Sequence, residues 1–136
     1  MTYAVSYALQ AAVYDRLVND SAVTSFVSGN VFDAPPNGVA PETYVLLGDE
    51  IARDRSTKTS AGAAHDFTIN VVSDQAGFAT AKQLAAAICD ALVDAPLTLS
   101  RGMLVALNFR TARAVREDSP GIRQIDLRFR ALVEDT

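Results

Sequence analysis

Apolar and polar side chains alternate near the end of the chain, in RQIDLRFRALVED (residues 123–135). The apolar members are Ile125, Leu127, Phe129, Ala131 and Val133. This period of two predicts a β-strand, because successive side chains of a strand point to opposite faces. The segment HDFTINVVS (65–73) repeats the pattern with Phe67, Ile69 and Val71 on one face. Two such strands predict a sheet with one buried face.

Each alternating segment follows a segment that begins apolar and becomes charged. TYVLLGDEIARDRS (43–56) leads through a polar loop into residues 65–73, and MLVALNFRTARAVRE (103–117) leads through EDSPG into the last strand. Apolar runs joined by short polar, glycine-containing connections predict β-hairpins. The spacing in the third strand predicts an inward set of Met103, Val105, Leu107 and Phe109.

Helical spacing appears in two other segments. Helical spacing of three and four joins Tyr3, Tyr7, Ala11, Tyr14 and Leu17 or Val18, which predicts a helix with these residues as its apolar stripe. The segment QAGFATAKQLAAAICDALVD (75–94) has the same period, and a short helix is predicted at AVTSFV (22–27). We therefore predict one α+β domain over residues 1–136, with an antiparallel sheet of two long hairpins covered on one face by two amphipathic helices.

The charge of the chain is acidic but unevenly distributed. Its 136 residues include 12 basic and 16 acidic side chains, a formal net charge of -4, which argues against a general nucleic-acid coat. Seven arginines nevertheless fall between positions 101 and 130. We expect one locally basic edge that meets an acidic partner, including another copy of the chain. No apolar run approaches 18 residues and the first residues lack a basic start, so we expect synthesis in the cytoplasm.

The residues that carry catalysis or metal binding are sparse. Lys58 and Thr59 precede Gly62 and a strand, whereas a phosphate-binding loop needs the glycines first and a helix after them. The single histidine, His65, is followed by Asp66, which a strand points to the opposite face. A zinc site needs three or four His and Cys ligands, and the chain has only His65 and Cys89. We therefore expect no catalytic residues, no metal site and no cofactor.

Two long hairpins with unpaired edges favour contacts with another chain. A closed ring of identical copies satisfies such edges without leaving any of them free. The sequence therefore favours an assembly role over a chemical one.

The same segments carry a resemblance to a known family. The run from Asp54 to Leu92, preceded by VFDAPPNGVAPETYVLLGDE and followed by LVALNFRTARAVREDSPGIRQIDLRFRALVED, resembles the tail-completion proteins of tailed phages and of the phage-like gene transfer agents of alphaproteobacteria. The resemblance includes YALQAAVYDRL and spans nearly the whole chain. Its features are the proline loop, the Y-V-L-L-G strand, S-T-K-T followed by glycine and histidine, and a helix with A-K-x-L-A.

The resemblance implies the fold of the tail terminator of lambda-like phages and a structural, non-enzymatic function. Such proteins form a homohexameric ring at the head-proximal end of the tail tube, end tube polymerisation and join the tail to the head connector. The implied location is the virion or phage-like particle. The implied partners are other copies of the chain, the tail tube protein and a head-side connector or stopper protein, with DNA passing through the lumen without sequence-specific binding.

Under this resemblance, three groups of residues are candidates for subunit or tube contacts. The first group is the hairpin loop, with Ser56, Thr57, Lys58, Thr59, Ser60 and Gly62. The second group is the charged strand before it, with Asp49, Glu50, Arg53 and Asp54. The third group is the last hairpin, with Arg110, Arg113, Arg116 and Arg128. These four arginines either pair with carboxylates of the next subunit or line the lumen.

Three other functions stay open at this point. The chain is compatible with another ring protein of the neck or head-tail connector, and with an assembly factor that never enters the particle. A small α+β ligand-binding domain is the third alternative, and it requires a pocket that brings His65, Ser73 and a carboxylate together.

Overall fold

The computed structural model describes residues 2–75, 77–117 and 121–135, and these residues form three helices and five strands. The elements in chain order are α1 (Ser6–Val18), α2 (Ser21–Val27), β1 (Val31–Phe32), β2 (Thr43–Asp54), β3 (Gly62–Ser73), α3 (Ala79–Leu92), β4 (Met103–Glu117) and β5 (Ile122–Glu134). Among the described residues, no helix is long and apolar enough to cross a membrane. The turn predicted at 117–121 lies mostly outside the described residues.

All five strands belong to one sheet with the order β1-β2-β3-β5-β4. β2 with β3 and β4 with β5 are antiparallel hairpins. β3 and β5 join the two hairpins in an antiparallel register that runs from Gly62 opposite Glu134 to Ser73 opposite Arg123. The turns of the two hairpins therefore lie at opposite ends of the sheet.

The predicted α+β class is confirmed, but the prediction of a purely antiparallel sheet is wrong. β1 pairs in parallel with β2, with Val31 opposite Val45, so the sheet is mixed. Parallel neighbours need a connection that returns the chain to the same end of the sheet. The proline-rich segment 33–42 provides that connection. β1 was not predicted because a strand of two residues is too short to show an alternating pattern.

The hydrophobic core contains the alternating residues that the sequence indicated in β3 and β5. Ile125, Leu127, Phe129, Ala131 and Val133 are all at most 3 % exposed. They form one cluster with the inward residues of β3 and with apolar residues of the helices. α3 contacts both β3 and β5, and its buried residues include Leu84, Ile88 and Leu92.

The predicted apolar stripe of α1 is wrong for its tyrosines, although Leu17 at its end is buried. The buried residues of this helix are Ser6, Ala8, Leu9, Val13 and Leu17. Tyr3, Tyr7 and Tyr14 instead are 62 %, 78 % and 38 % exposed. Both stripes have helical spacing, and the helix buries the aliphatic one because Leu and Val pack without a hydroxyl group that needs a partner.

The predicted inward set of β4 is confirmed for Leu107 and wrong for Met103 and Val105. Phe109 lies on the core face opposite Phe129 and contacts its ring edge-on, but it stays partly exposed at the edge of the sheet. Met103, Val105 and Phe109 are 52 %, 57 % and 44 % exposed. The register of β4 against β5 shifts between Leu104 and Ala106 and again between Phe109 and Thr111. Each β-bulge adds one residue and reverses the faces of the residues beyond it. Leu104 thus packs against the core in place of its neighbours.

Gly102, just before β4, occupies a position that excludes a side chain. Its φ is +75°, and an added Cβ would lie 2.6 Å from the Glu134 carbonyl oxygen and 3.0 Å from Val5 Cγ2. Gly38 has a similar φ of +73° but no atom within 4 Å of the Cβ position. Both glycines have a left-handed backbone, but only Gly102 has other atoms close to the position of an added Cβ.

We expect Gly102→Ala to destabilise the protein by clearly more than Gly38→Ala. The control substitution adds only left-handed strain of about 1–2 kcal/mol, whereas Gly102→Ala also displaces backbone that β5 supplies. Urea denaturation followed by circular dichroism gives both values. Equal losses of unfolding free energy would contradict the assigned contact with Glu134.

Candidate assembly surfaces

The loop between β2 and β3 is held against the C-terminal end of β5. Arg55 N donates to Gly62 O at 2.8 Å, and Ser60 Oγ donates to the Glu134 carboxylate at 3.2 Å. Asp135 N donates to Ala61 O at 2.9 Å. Around these contacts, Ser56, Thr57, Lys58 and Thr59 are exposed. The loop is therefore anchored at its base, and its tip presents polar side chains to solvent.

Gly62 has a role within the chain. It is buried, and an added Cβ would meet the Arg55 carbonyl oxygen at 3.0 Å and the Val133 carbonyl oxygen at 3.5 Å. The backbone that approaches this glycine closely is therefore that of its own loop and of β5. Of the other residues of the predicted loop surface, Thr57, Lys58 and Thr59 are exposed. Ser56 Oγ donates to Asp54 Oδ1 at 2.6 Å, and Ser60 Oγ donates to the Glu134 carboxylate.

The predicted arginine and carboxylate groups lie on different strands of the sheet. Arg110, Arg113 and Arg116 are exposed on β4, and Arg128 is exposed on β5. Asp49 and Asp54 are exposed on β2, two strands away from β5. Asp49, Arg110 and Arg128 line one open groove of about 560 Å³ on the sheet.

An ion-pair network crosses the same groove. Asp66 accepts hydrogen bonds from Arg130 Nε at 2.7 Å and from Arg53 Nη1 at 2.8 Å. The hydrogen bond from Arg130 is the main cause of a pKa of the Asp66 carboxyl below its ordinary value. Asp66 therefore stays ionised. Because Arg53 already pairs with Asp66, this predicted contact residue has a partner within its own chain.

Glu50 and His65 form a buried cluster that the sequence did not reveal. His65 is fully buried, and its Nδ1 lies 3.0 Å from Glu50 Oε2. Glu50 Oε1 accepts hydrogen bonds from the Tyr3 hydroxyl and, at 2.8 Å, from Ser6 Oγ. The Tyr3 ring stacks on the imidazole with centroids 6.1 Å apart. The cluster thus holds the N-terminal segment against the β2–β3 hairpin.

The hydrogen bonds to Glu50 favour its ionised form. Burial opposes ionisation of this carboxyl, but the hydrogen bonds from Tyr3, Ser6 and His65 outweigh burial, so its pKa lies below the ordinary value. The hydrogen bond to Glu50 is also the main cause of the raised pKa of the Tyr3 hydroxyl. A carboxylate with these donors contributes to folding, and its role as a subunit contact stays a prediction.

The register of β2 explains why sequence reasoning missed this pair. A bulge between Leu47 and Glu50 moves the following residues of β2 to the opposite face from the one that strict alternation predicts. Glu50 therefore lies opposite Phe67, and Ala52 lies opposite His65. Glu50 therefore shares the inner face with the imidazole. Asp66 lies on the opposite face, as the alternation of the strand predicted.

The cluster does not form the ligand site that the alternative reading requires. Ser73 lies at the other end of β3, where its Oγ is 3.1 Å from Thr43 Oγ1. A cavity of about 220 Å³ is lined by Glu50 together with other polar and apolar side chains, but Ser73 is not part of its wall. His65, Ser73 and a carboxylate are therefore not brought together.

We expect Glu50→Gln to destabilise the protein at neutral pH by about 1–3 kcal/mol, the value of hydrogen bonds to a charged group. The lowered pKa means that this stabilisation is present above the unfolded value of about 4.3 and is lost as pH falls through the folded value. The difference between wild type and variant, measured by urea denaturation, therefore shrinks in acid. Glu42→Gln, at an exposed position, is the control. A difference that stays constant with pH would contradict this role of the Glu50 charge.

Comparisons with known proteins identify relatives over nearly the whole chain. A chain solved in the virion of a native gene transfer agent (GTA) particle is 55 % identical, covers 98 % of this chain and 99 % of its own, and superimposes with a TM-score of 0.92. A second solved structure, 13 % identical with a TM-score of 0.58, shares the fold over 96 % of both chains. Comparison with curated protein sequences finds no match.

The family assignment rests on the sequence itself. Residues 11–134 match the family described as tail completion protein gp17. The match includes every strand of the described structure, α2, α3 and the part of α1 from Ala11 onward. The chain belongs to the tail completion protein gp17 family.

Proposed function

We propose that the protein forms a ring, with six copies expected from the resemblance, at the head-proximal end of a tail tube. There it ends tube polymerisation and joins the tail to the head-side connector. The observation that carries this proposal is a pair of unlike, incompletely paired edges on opposite sides of one sheet. The protein is a structural component of the virion and not an enzyme, in keeping with its family and its virion relative.

The first edge is β4, a strand of 15 residues that pairs only with β5 among the described residues. Met103, Val105 and Phe109 are exposed along it. A long edge strand with exposed apolar side chains is a site for pairing with another chain. Its arginines keep the strand soluble until a partner is present.

The second edge is on the far side of the sheet, where β1 covers only Val45 and Leu46 of β2. The rest of β2, through Asp54, has β3 as its partner on one side only within the described part of the chain. Three successive antiparallel pairings make β4 run opposite to β2 and β1. Rotation about an axis along the strands therefore brings β4 of one copy antiparallel to the β1–β2 edge of the next. Contacts between unlike surfaces close into a ring when the rotation closes.

The predicted charged residues fit this arrangement. Arg110 and Arg113 extend from the β4 edge, and Asp49 extends from β2. Joining these edges brings opposite charges of neighbouring copies together, which favours correct association over wrong partners. Arg128 lies inside the sheet face rather than at its edge, and we propose it for contacts with the tube or with DNA in the lumen.

The position in the particle separates the terminator from another ring protein of the neck. The virion relative supports a location in the particle, and the tail completion family supports a location at the end of the tail. Antibody labelling of purified particles in electron micrographs gives the position directly. Label at the junction of tube and head supports the proposal, and label on the capsid side of the connector overturns it.

We expect Val105→Lys to abolish ring formation while the monomer stays folded. Lysine on an edge strand opposes strand pairing, and Val105 is 57 % exposed, so the core is unaffected. Val39→Lys is the matched control, because Val39 is 98 % exposed in the proline loop. Circular dichroism reports folding, and negative-stain microscopy with tail tubes reports rings. Normal rings of the Val105→Lys variant would show that the β4 edge makes no subunit contact.

We expect the double substitution Lys58→Glu and Thr59→Glu to impair attachment of the ring to the tube or to a neighbouring copy. Both side chains are exposed at the loop tip, and the anchoring hydrogen bonds involve other residues. The melting temperature should therefore change little. Tail lengths measured in electron micrographs of particles give the outcome. Tails of normal length would remove this loop from the proposed contact surface.

A further inference from the structure

One row of side chains crosses the sheet from β2 to β4 on the face that the helices cover. Phe67 of β3 lies opposite Glu50 of β2 and opposite Phe129 of β5. Phe129 in turn lies opposite Phe109 of β4. The Phe109 ring contacts the Phe129 ring edge-on, with centroids 6.1 Å apart, but it stays 44 % exposed. The row therefore begins at Glu50 and ends, on the far edge, with an aromatic ring that the chain does not fully bury.

A cavity of about 220 Å³ lies beside Glu50, at the other end of the same row. Its lining includes Leu9 and Ile69, which are 2 % and 1 % exposed. Gln10 of α1 and Gly48 in the bulge of β2 also line it, and both are exposed. The cavity therefore reaches from the surface to apolar side chains of the core. Its exposed part lies along the residues of β2 that β1 does not cover.

The Glu50 carboxylate in the cavity wall has its hydrogen-bond partners within the chain. It accepts hydrogen bonds from the Tyr3 hydroxyl and, at 2.8 Å, from Ser6 Oγ, and His65 Nδ1 lies 3.0 Å from it. A carboxylate with several donors tolerates an apolar neighbour. The edge of an aromatic ring carries partial positive charge, which is favourable next to a carboxylate. An aromatic side chain is therefore a suitable occupant of the cavity.

The strand directions permit Phe109 of one copy to reach this cavity in the next copy. β4 runs antiparallel to β2. A rotation that closes a ring adds no displacement along its axis. Strands that lie along the axis keep their height, so the row that ends at Phe109 continues at Glu50 of the neighbouring copy. Because both residues point to the helix-covered face of their own sheet, they share one face of the joined sheet.

The opposite face of the sheet supports the same alignment. In an antiparallel pair that places Phe109 opposite Glu50, Arg110 lies opposite Asp49. Arg110 and Asp49 each occupy a bulge next to the row, and both line the open groove on the other face. The proposed pairing of these two charges and the approach of Phe109 to the cavity therefore require one alignment, not two.

We propose that residues 47–54 of β2 pair with residues 105–112 of β4 from a second copy of this chain, with Phe109 opposite Glu50, and that the Phe109 ring occupies the cavity between α1 and β2. The inference rests on the proposed ring and specifies the alignment of its subunit contact. Insertion of the ring removes exposed aromatic surface and the apolar part of the cavity wall from water together, which a single copy does not achieve.

Disulfide trapping in assembled particles tests the alignment. Cys89→Ala first removes the native thiol. Ile51 lies opposite Asn108 of the neighbour in this register, and opposite residues of adjacent strands are about 4.5–5.5 Å apart, within reach of a disulfide. The pair Ile51→Cys and Asn108→Cys should give covalent dimers and larger multimers on non-reducing gels after mild oxidation. Within one chain β3 and β5 separate the two positions, so the bond forms only between copies.

The matched control is the pair Ile51→Cys and Ala106→Cys. Ala106 and Asn108 share one face of β4, since their partners on β5 are Leu132 and Arg130. The shift of two residues places the Cα atoms about 8 Å apart, beyond the range of a disulfide, and should give about tenfold less product. Equal yields from the two pairs, a higher yield from the control or no crosslink from either would overturn the alignment.

Substitutions at position 109 test the insertion itself. Phe109→Ser should lower the yield of rings on tail tubes about tenfold or more, because it removes a central aromatic contact. Phe109→Leu keeps an apolar side chain and should retain most of the rings. Urea denaturation reports the stability of each free chain, since Phe109 also contacts Phe129. Rings of Phe109→Ser at the wild-type yield, or equal losses from both folded variants, would overturn the insertion.

The outcomes separate this contact from the proposed function. The trapping experiment leaves Phe109 unchanged, so it gives an answer even where a variant at this position fails to fold. Rings at the tube end without the crosslink between positions 51 and 108 would leave the ring standing and remove the alignment. Particles without a ring at that position would remove both.

Discussion

The unbroken pairing of β3 with β5 is the interaction on which the rest of the structure depends. Every residue from Gly62 to Ser73 has a partner between Glu134 and Arg123. Phe67 and Phe129 lie opposite each other in this register and stack with ring centroids 5.6 Å apart. A slip of one residue would move the apolar set of β5 to the other face of the sheet. The register thus determines the core and also fixes the two hairpins relative to each other.

The same register creates the space for the buried histidine. His65 lies opposite Ala131 on one side and Ala52 on the other. Small neighbours on both strands leave room for an imidazole, and the bulge in β2 supplies Glu50 as its partner. The N-terminal segment then closes over the pair through Tyr3 and Ser6. The polar cluster around His65 therefore depends on the small side chains opposite the imidazole and on the one bulge in β2.

Joining two hairpins through their inner strands also determines which surfaces remain for assembly. β2 and β4 become the outer long strands, and only a short β1 covers part of one of them. The hydrophobic residues that β4 exposes and the tyrosines of α1 lie on opposite sides of the sheet. A monomer gains little from either surface, because exposed aromatic and aliphatic groups lower the free energy only when a partner removes them from water. These features favour a protein that functions as one member of an assembly.

Much of the fold was accessible from the sequence. The strands, the hairpins and the inward residues of β3 and β5 follow from a period of two, which is a local property of the chain. The sequence also shows only one histidine and one cysteine, too few ligands for a zinc site, and this composition favoured an assembly role. The candidate arginines of β4 were found exposed, but Glu50 and Arg53 were found in contacts within the chain.

The sequence by itself determined the period of each element, and hence the strands, the helices and the core face of the central pair. Only the tertiary structure decided which of two apolar stripes α1 buries, which residues of β4 face inward, and that Glu50 meets His65. The physical reason is that a bulge shifts side chains by one position without any strong sequence signal, and that a helix orients according to the surface it packs against. The position of a bulge and the orientation of a helix both depend on residues far away in the chain, and a local sequence pattern contains no information about those residues.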